Sequence, residues 1–254
     1  MEILTKIEHG ILTITFNREE KKNALTAPMY STIADALDDA ETNPAVRVIL
    51  ITGTATVFTA GNDLEEFLKN PPVQSDAPVF RFLRSITHAA KPIVAAVAGN
   101  AVGVGTTMLL HCDLVYAADN ARFALPFTQL GLCPEAGSSL LLPMLCGYQR
   151  AAEKLLLGEA FSANEALQMG LVNKIVPVAE LLPLALAQAA KLAALPPASI
   201  RITKQLMKQA HTASVDTRIA AEVEQFGAML SQPAAREAFG AFLEKRKPDF
   251  SQLS

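Results

Sequence analysis

The feature that most restricts the fold is a unit met twice along the chain: an apolar run of strand length, a turn of small residues, and the start of a helix. The first unit runs from Val46–Thr52 (VRVILIT) past Gly53 to Phe58-Thr59-Ala60-Gly61-Asn62-Asp63-Leu64. The second runs from Ile93–Val97 through the Gly99–Gly105 turn into an apolar helix and on to a strand at Leu114–Ala117. Short apolar runs rich in β-branched residues and closed by glycine read as strands covered on both faces. Strands that alternate with helices imply an α/β fold with buried parallel strands. The spacing is too irregular for a solenoid to be read from the repeat alone.

Around these units the punctuation is clear. Residues 2–8 and 11–16 alternate apolar and polar about His9-Gly10, which predicts a β-hairpin. Thr26 and Pro28 open a helix whose Tyr30, Ile33, Leu37 and Ala40 recur at helical spacing, and Asn43-Pro44 stops it. A further helix is expected around 77–90. After Pro177 the strand signals cease. Leu181–Leu195 is rich in Ala and Leu, Pro196-Pro197 interrupts it, and helical patterns continue to Lys245. We therefore expect a core over residues 1–195 and a helical piece over 196–254. Ser231 and Pro233 should start the last helix, with Phe239, Phe242 and Leu243 on one face. Apolar helix faces at a chain end point to packing against other subunits.

Size and charge narrow the class. A chain of 254 residues suits one sizeable core, or one core with a smaller appendage. A formal net charge of −3 leaves no electrostatic footprint for nucleic acid or an anionic membrane. Cys112, Cys133 and Cys146 are odd in number and sit in apolar stretches, so free thiols in a reducing compartment are expected. The scattered His9, His88, His111 and His211 form no zinc pattern. The opening residues lack a basic segment followed by a long apolar stretch, which favours a cytoplasmic protein over a secreted one. Pro92–Leu110 is uncharged and nearly bilayer length, but its three glycines, Asn100 and two threonines fit a buried strand, turn and helix better than a membrane span.

Three segments could carry chemistry. At Phe58–Leu64 small residues let another molecule approach the backbone just where a helix begins, so Asn62 N–H could serve an anion or oxyanion; equally, Asp63 could simply cap the helix. Gly99–Thr107 is a second glycine turn before a helix. It lacks the third glycine and the distant acid of a dinucleotide fingerprint and has no P-loop Lys-Ser/Thr. In Leu130-Gly131-Leu132-Cys133-Pro134-Glu135-Ala136-Gly137-Ser138-Ser139, Glu135 is either a functional carboxylate or a first-turn complement to the helix dipole. His111-Cys112-Asp113 makes no relay, since adjacent residues on a strand point to opposite faces.

Taken together and in this order, these segments resemble the enoyl-CoA hydratase/isomerase, or crotonase, superfamily, from Lys21-Lys22-Asn23-Ala24-Leu25 to Phe242–Pro248. The resemblance implies an α/β, crotonase-like spiral of ββα units with a C-terminal helical trimerisation region, assembled as a homotrimer or dimer of trimers. It implies an acyl-CoA thioester substrate whose carbonyl oxygen sits between the backbone N–H groups of Asn62 and Val104. Ala24, Ala60, Gly61, Asp63, Leu64 and Gly103 match positions that line or shape the CoA site, and Lys21, Lys22 and the Lys245–Lys247 run are candidates for its phosphates. No metal or redox cofactor is called for, because CoA arrives as part of the substrate. Family members usually carry Gly or Ala where this chain has Asn62 and Val104, but the donors are main chain. Each such donor is worth ~3 kcal/mol to a developing oxyanion.

The base decides the reaction. Hydratases of the family hold a water between two glutamates, and the matching positions here are Thr107 and Phe127, neither a carboxylate. The stretch from Pro126 to Ser139 resembles the Δ3,Δ2-enoyl-CoA isomerase branch, in which a lone glutamate at the Glu135 position shuttles a proton between C2 and C4. Apolar neighbours Leu132, Ala136, Leu140 and Leu141 would raise the pKa of a buried carboxyl there. The expected activity is thus a 3-enoyl-CoA isomerase. Hydration, thioester hydrolysis, dehalogenation and a catalytically silent acyl-CoA-binding protein are the alternatives.

Overall fold

In a computed structural model the described residues are 1–70 and 77–253. The hairpin forms as expected, with β1 (Ile3–Glu8) antiparallel to β2 (Ile11–Phe16) about His9-Gly10. Then follow α1 (Ala27–Thr42), β3 (Val48–Thr52), β4 (Val57–Thr59), α2 (Leu64–Lys69) and α3 (Pro78–His88). The second unit supplies β5 (Ile93–Val97), β6 (Asn100–Val102), α4 (Val104–Thr107), β7 (Leu114–Ala118) and β8 (Arg122–Ala124). Next come α5 (Ser138–Cys146), α6 (Tyr148–Leu157), β9 (Phe161–Ser162), α7 (Ala163–Gln168) and β10 (Lys174–Val176). The chain closes with α8 (Val178–Ala194), α9 (Pro197–Gln209), α10 (Thr212–Leu230) and α11 (Pro233–Leu243).

The strands form two sheets. One is six-stranded, ordered β1-β2-β3-β5-β7-β10 and parallel apart from the hairpin; the other is four-stranded, ordered β4-β6-β8-β9. β3 and β5 are buried at every residue, as strands covered on both faces must be. One face of the larger sheet packs on α1 and α3. The other packs on α8, whose Leu181, Ala185, Ala189 and Ala193 meet Val48, Leu50, Val94 and Ala96. The Pro92–Leu110 stretch is divided into strand, turn, strand and two short helical turns, and among the described residues no single helix is long and apolar enough to cross a membrane.

Several local expectations need correction. The strand expected from Val46 starts at Val48, because Arg47 N–H and Val48 N–H both donate to Gly10 O at 2.7 and 3.2 Å. The second sheet is not legible as strands, since β4, β6 and β8 have three residues each and occupy what reads as turn. The apolar helix expected after Gly105 is one four-residue turn followed by a 3₁₀ turn over Met108–His111. His111-Cys112-Asp113 lies at the end of that turn rather than on a strand. The last helix starts at Pro233 as expected, but Gln232 holds the N-cap position without a side-chain cap bond, and the Ser231 hydroxyl donates to Ala228 O instead. Its expected face is split: Phe239 enters the main core, but Phe242 and Leu243 are 58% and 51% exposed.

Candidate active site

The site is built where the first chain segment, the β4–α2 turn and the β6–α4 turn meet. Asn23, fully buried, pins them: its Nδ2 donates to Val57 O and Phe58 O, and its Oδ1 accepts from Arg18 N–H at 2.7 Å. The Thr59 hydroxyl donates to Asn23 O at 2.7 Å. Residues 22–25 then run beside 60–63. Ala60 N–H donates to Lys22 O, Leu25 N–H to Gly61 O, and Asp63 N–H to Leu25 O. This brings Lys21, Lys22 and Ala24 to the Ala60–Leu64 turn, with the two lysines exposed and Leu64 half-buried against the core.

That pairing leaves Asn62 N–H turned away from Leu25, as the intervening residue of a parallel bridge must be. Val104 is the first residue of α4, so its N–H has no partner within the helix. Neither N–H donates to a protein acceptor among the described residues. The two turns approach closely because of two glycines. A Cβ on Gly61, at φ +86°, would lie 2.7 Å from Val102 O, and one on Gly105 would lie 2.5 Å from Thr59 Cγ2. Gly103, at φ +56°, turns the chain into α4.

Asp63 has a structural task. It caps α2 by accepting from Glu66 N–H at 3.2 Å, and Arg18 Nη1 donates to its other oxygen at 2.8 Å. Burial alone would raise its carboxyl, but the Arg18 bond and the Glu66 N–H outweigh burial and hold it below the usual carboxylate range. Its charge is therefore already satisfied by protein. Lys245 and Lys247 lie beyond α11, exposed, while Arg246 between them is bound by Glu237 and Glu244.

Glu135 stands in the loop before α5, 9% exposed, and shares one cleft with Asn62. The cleft is otherwise apolar, walled by Val79, Phe80 and Leu83 of α3 and by Val223, Phe226 and Leu230 of α10. Glu135 is the acidic residue among the described residues that line it. Its side chain does not cap α5; its Oε1 accepts from the Thr107 hydroxyl. Burial pushes its pKa up to about 8; the Thr107 bond pulls it down and the nearby Glu222 charge pushes it up. Phe127, at the second hydratase position, is buried in the core. The arrangement offers two unpaired main-chain donors and one carboxylate of raised pKa facing an apolar cleft, the parts needed to form and hold an enolate.

Several participants escape sequence reasoning. Tyr30 reads as a core residue of α1, yet its hydroxyl donates to Asn62 Oδ1 at 2.5 Å. Burial, and then the Glu135 charge, raise its phenol pKa well above the ordinary value. Thr107 is noticed only as a missing glutamate. Glu222 lies 87 positions beyond Glu135, with nothing local to mark it. His111 is fixed by its Nε2 contact to Ala136 O at 2.8 Å, and burial lowers its pKa to about 4, so the ring is neutral. Burial drives the Cys112 thiol up to about 12, a packed and unreactive group.

The fold and this pairing of main-chain donors with a buried acid define a crotonase-fold acyl-CoA enzyme. A solved enoyl-CoA hydratase/isomerase from Pseudoalteromonas atlantica T6c superposes with a TM-score of 0.94 at 39% identity, covering 99% of this chain and 100% of that one. The model of the enoyl-CoA hydratase/isomerase family matches residues 6–253, and the chain belongs to that family. Its relatives carry different reactions in their names. A 2,3-dehydroadipyl-CoA hydratase of Escherichia coli (strain K12) is 34% identical over 253 residues, 98% of each chain. The enoyl-CoA delta isomerase 2 of Rattus norvegicus is 40% identical over 213 residues, 82% of this chain and 54% of that protein.

Proposed function

We propose that the protein is a Δ3,Δ2-enoyl-CoA isomerase. The observation that carries this reading is Glu135, the one carboxylate among the described residues lining the cleft shared with Asn62, with Thr107 and Phe127 at the positions where a hydratase would need its acids. The Glu135 carboxylate removes a proton from C2 of a 3-enoyl thioester. The electron pair moves into the conjugated dienolate, and its charge gathers on the thioester oxygen between Asn62 N–H and Val104 N–H. Glu135 then delivers the same proton to C4 as the C2–C3 double bond forms. One acid suffices because the proton leaves and returns on one face, and no water, metal or redox cofactor enters the balance.

The raised pKa supports the reading, since a base near the operating pH is strong enough to work beside a thioester. Lys21 and Lys22 are exposed beside the Ala60–Leu64 turn, which supports a role for them in meeting the CoA phosphates. The exposed Ile202, Leu206 and Met207 of α9 fit burial in a homotrimer or dimer of trimers. The test is to supply 3-hexenoyl-CoA and crotonyl-CoA separately. The first should become the conjugated 2-enoyl thioester and the second should remain unhydrated. Rapid hydration of crotonyl-CoA would replace this reading with a hydratase. Turnover no greater than that of Glu135→Gln would leave an acyl-CoA-binding protein.

A further inference from the structure

α10 does more than wall the acyl cleft. Directly before Val223, it carries Glu222, only 5% exposed. The Glu222 carboxylate accepts from Gly137 N–H at 2.6 Å, from Ser139 N–H at 3.0 Å and from the Ser139 hydroxyl at 2.5 Å. Three donors converging on one buried carboxylate form a charge-assisted set whose loss would leave buried groups unpaired. The clasped segment begins two residues after Glu135. Between them the chain passes through Ala136 at φ +58° and Gly137 at φ +72°. A non-glycine residue in that region persists only where its surroundings hold it. His111 holds Ala136 O, the Ser138 hydroxyl donates to Glu135 O at 2.6 Å, and Glu222 holds the far side.

We propose that Glu222 is a positioning residue for the proton-transfer site: by clasping Gly137–Ser139 it fixes Glu135 against the cleft, from the same helix that walls the acyl chain. The inference rests on the isomerase reading for what Glu135 does, but the clasp itself can be read without turnover. The groups facing Glu135 are Tyr30 of α1, Thr107 of α4, Cys133 and His111 at either side of its loop, and Glu222 of α10. Of these, Glu222 acts on Glu135 through its charge, which raises the Glu135 pKa and so opposes its ionisation.

The experiment compares the full-length protein with Glu222→Ala and Glu222→Gln. It follows amide hydrogen exchange over residues 136–140 and the pH dependence of kcat and KM with 3-hexenoyl-CoA. The Ala variant should exchange at least tenfold faster there and lose at least tenfold in kcat, with KM within threefold. The Gln variant keeps one acceptor oxygen but sets an NH2 group against Gly137 N–H or the Ser139 donors, so exchange and kcat should recover only in part, while the acid limb of its pH profile moves to lower pH. Wild-type exchange and kcat in the Ala variant, or a loss confined to KM, overturns the proposal. If Ala prevents folding, the Gln variant decides, and an unmoved acid limb overturns it. If the wild type moves no double bond, the isomerase reading fails by itself, and local exchange alone then decides the clasp.

Discussion

The Thr107 hydroxyl donates to Oε1 of Glu135, so the residue standing where a hydratase would carry one of its acids serves instead as the hydrogen-bond partner of the one acid among the described residues that line the cleft. A second carboxylate at 107 would repel Glu135 and hold a water between them. A hydroxyl stabilises its ionised form without adding charge, leaving the carboxylate free to face carbon.

Removing that hydroxyl tests the arrangement. In Thr107→Val the bond that lowers the Glu135 pKa is gone, while burial and the Glu222 charge remain. The base must be ionised to act, so the acid limb of kcat/KM should shift to higher pH than in wild type. At pH 7 activity should fall by roughly tenfold, within the range general-base catalysis supplies. Steady-state profiles from pH 6 to 10 check this; a limb displaced toward lower pH would contradict it.

Glu135 should also reveal itself in stability. Its folded pKa of about 8 lies above the ordinary carboxyl value, so the native state binds this proton more tightly than the unfolded chain. The wild type therefore loses stability as pH rises from about 4.5 through 8. Glu135→Gln removes that liability. Its Tm should match wild type near pH 4 and exceed it at pH 9, by on the order of a few kcal/mol in unfolding free energy, while kcat falls about 10²–10⁴-fold. Thermal melts across pH separate this from a plain loss of packing, which would lower Tm at every pH.

How much of this was legible in the chain depended on whether the signal was local. The hairpin about His9-Gly10, the Thr26 cap of α1 and the buried β3 and β5 were readable because period, cap and breaker lie within a few residues of one another. Asn62 and Glu135 stood out as candidates because each sits in a short marked turn, whereas Val104 was singled out only through the family resemblance. The second sheet was hidden because three-residue strands carry no alternation to read. Tyr30 and Glu222 were hidden for a different reason. Each looks like an ordinary residue of an amphipathic helix, and only the fold, by laying α1 and α10 against the two turns, gives its polar end a partner. Asp63 shows the converse: a residue in a functional motif whose carboxylate is spent on Arg18 and the α2 cap.

Gly61 offers a test of the donor geometry. Alanine there would put a Cβ 2.7 Å from Val102 O at a φ of +86°, where L side chains are strained. The β4–α2 turn must then withdraw from the β6–α4 turn, carrying Asn62 N–H away from Val104 N–H. Gly61→Ala should lower kcat by 10²-fold or more, comparable to loss of one oxyanion donor, and lower stability by roughly 1–3 kcal/mol. A variant with normal kcat would show that the approach of these two turns is not what organises the reaction.

The attachment of α9 can be tested at Lys204, 4% exposed, whose Nζ donates to Lys91 O at 2.8 Å and Asp113 Oδ2 at 2.7 Å. Asp113 Oδ2 also accepts from Ile93 N–H, so one carboxylate oxygen joins the start of β5 to α9. Replacing Lys204 with Met keeps the apolar stem but leaves Asp113 charged, largely enclosed and without its cation. The expected cost is about 3 kcal/mol, the lower end for breaking a buried pair from one side. Replacing Asp113 with Asn as well should recover part of it, because the uncompensated charge disappears while Ile93 N–H keeps an acceptor. Chemical denaturation of the two single variants and the double variant measures this coupling. Strict additivity would mean that α9 is held by its apolar contacts alone, and that the Lys204–Asp113 pair contributes nothing beyond them.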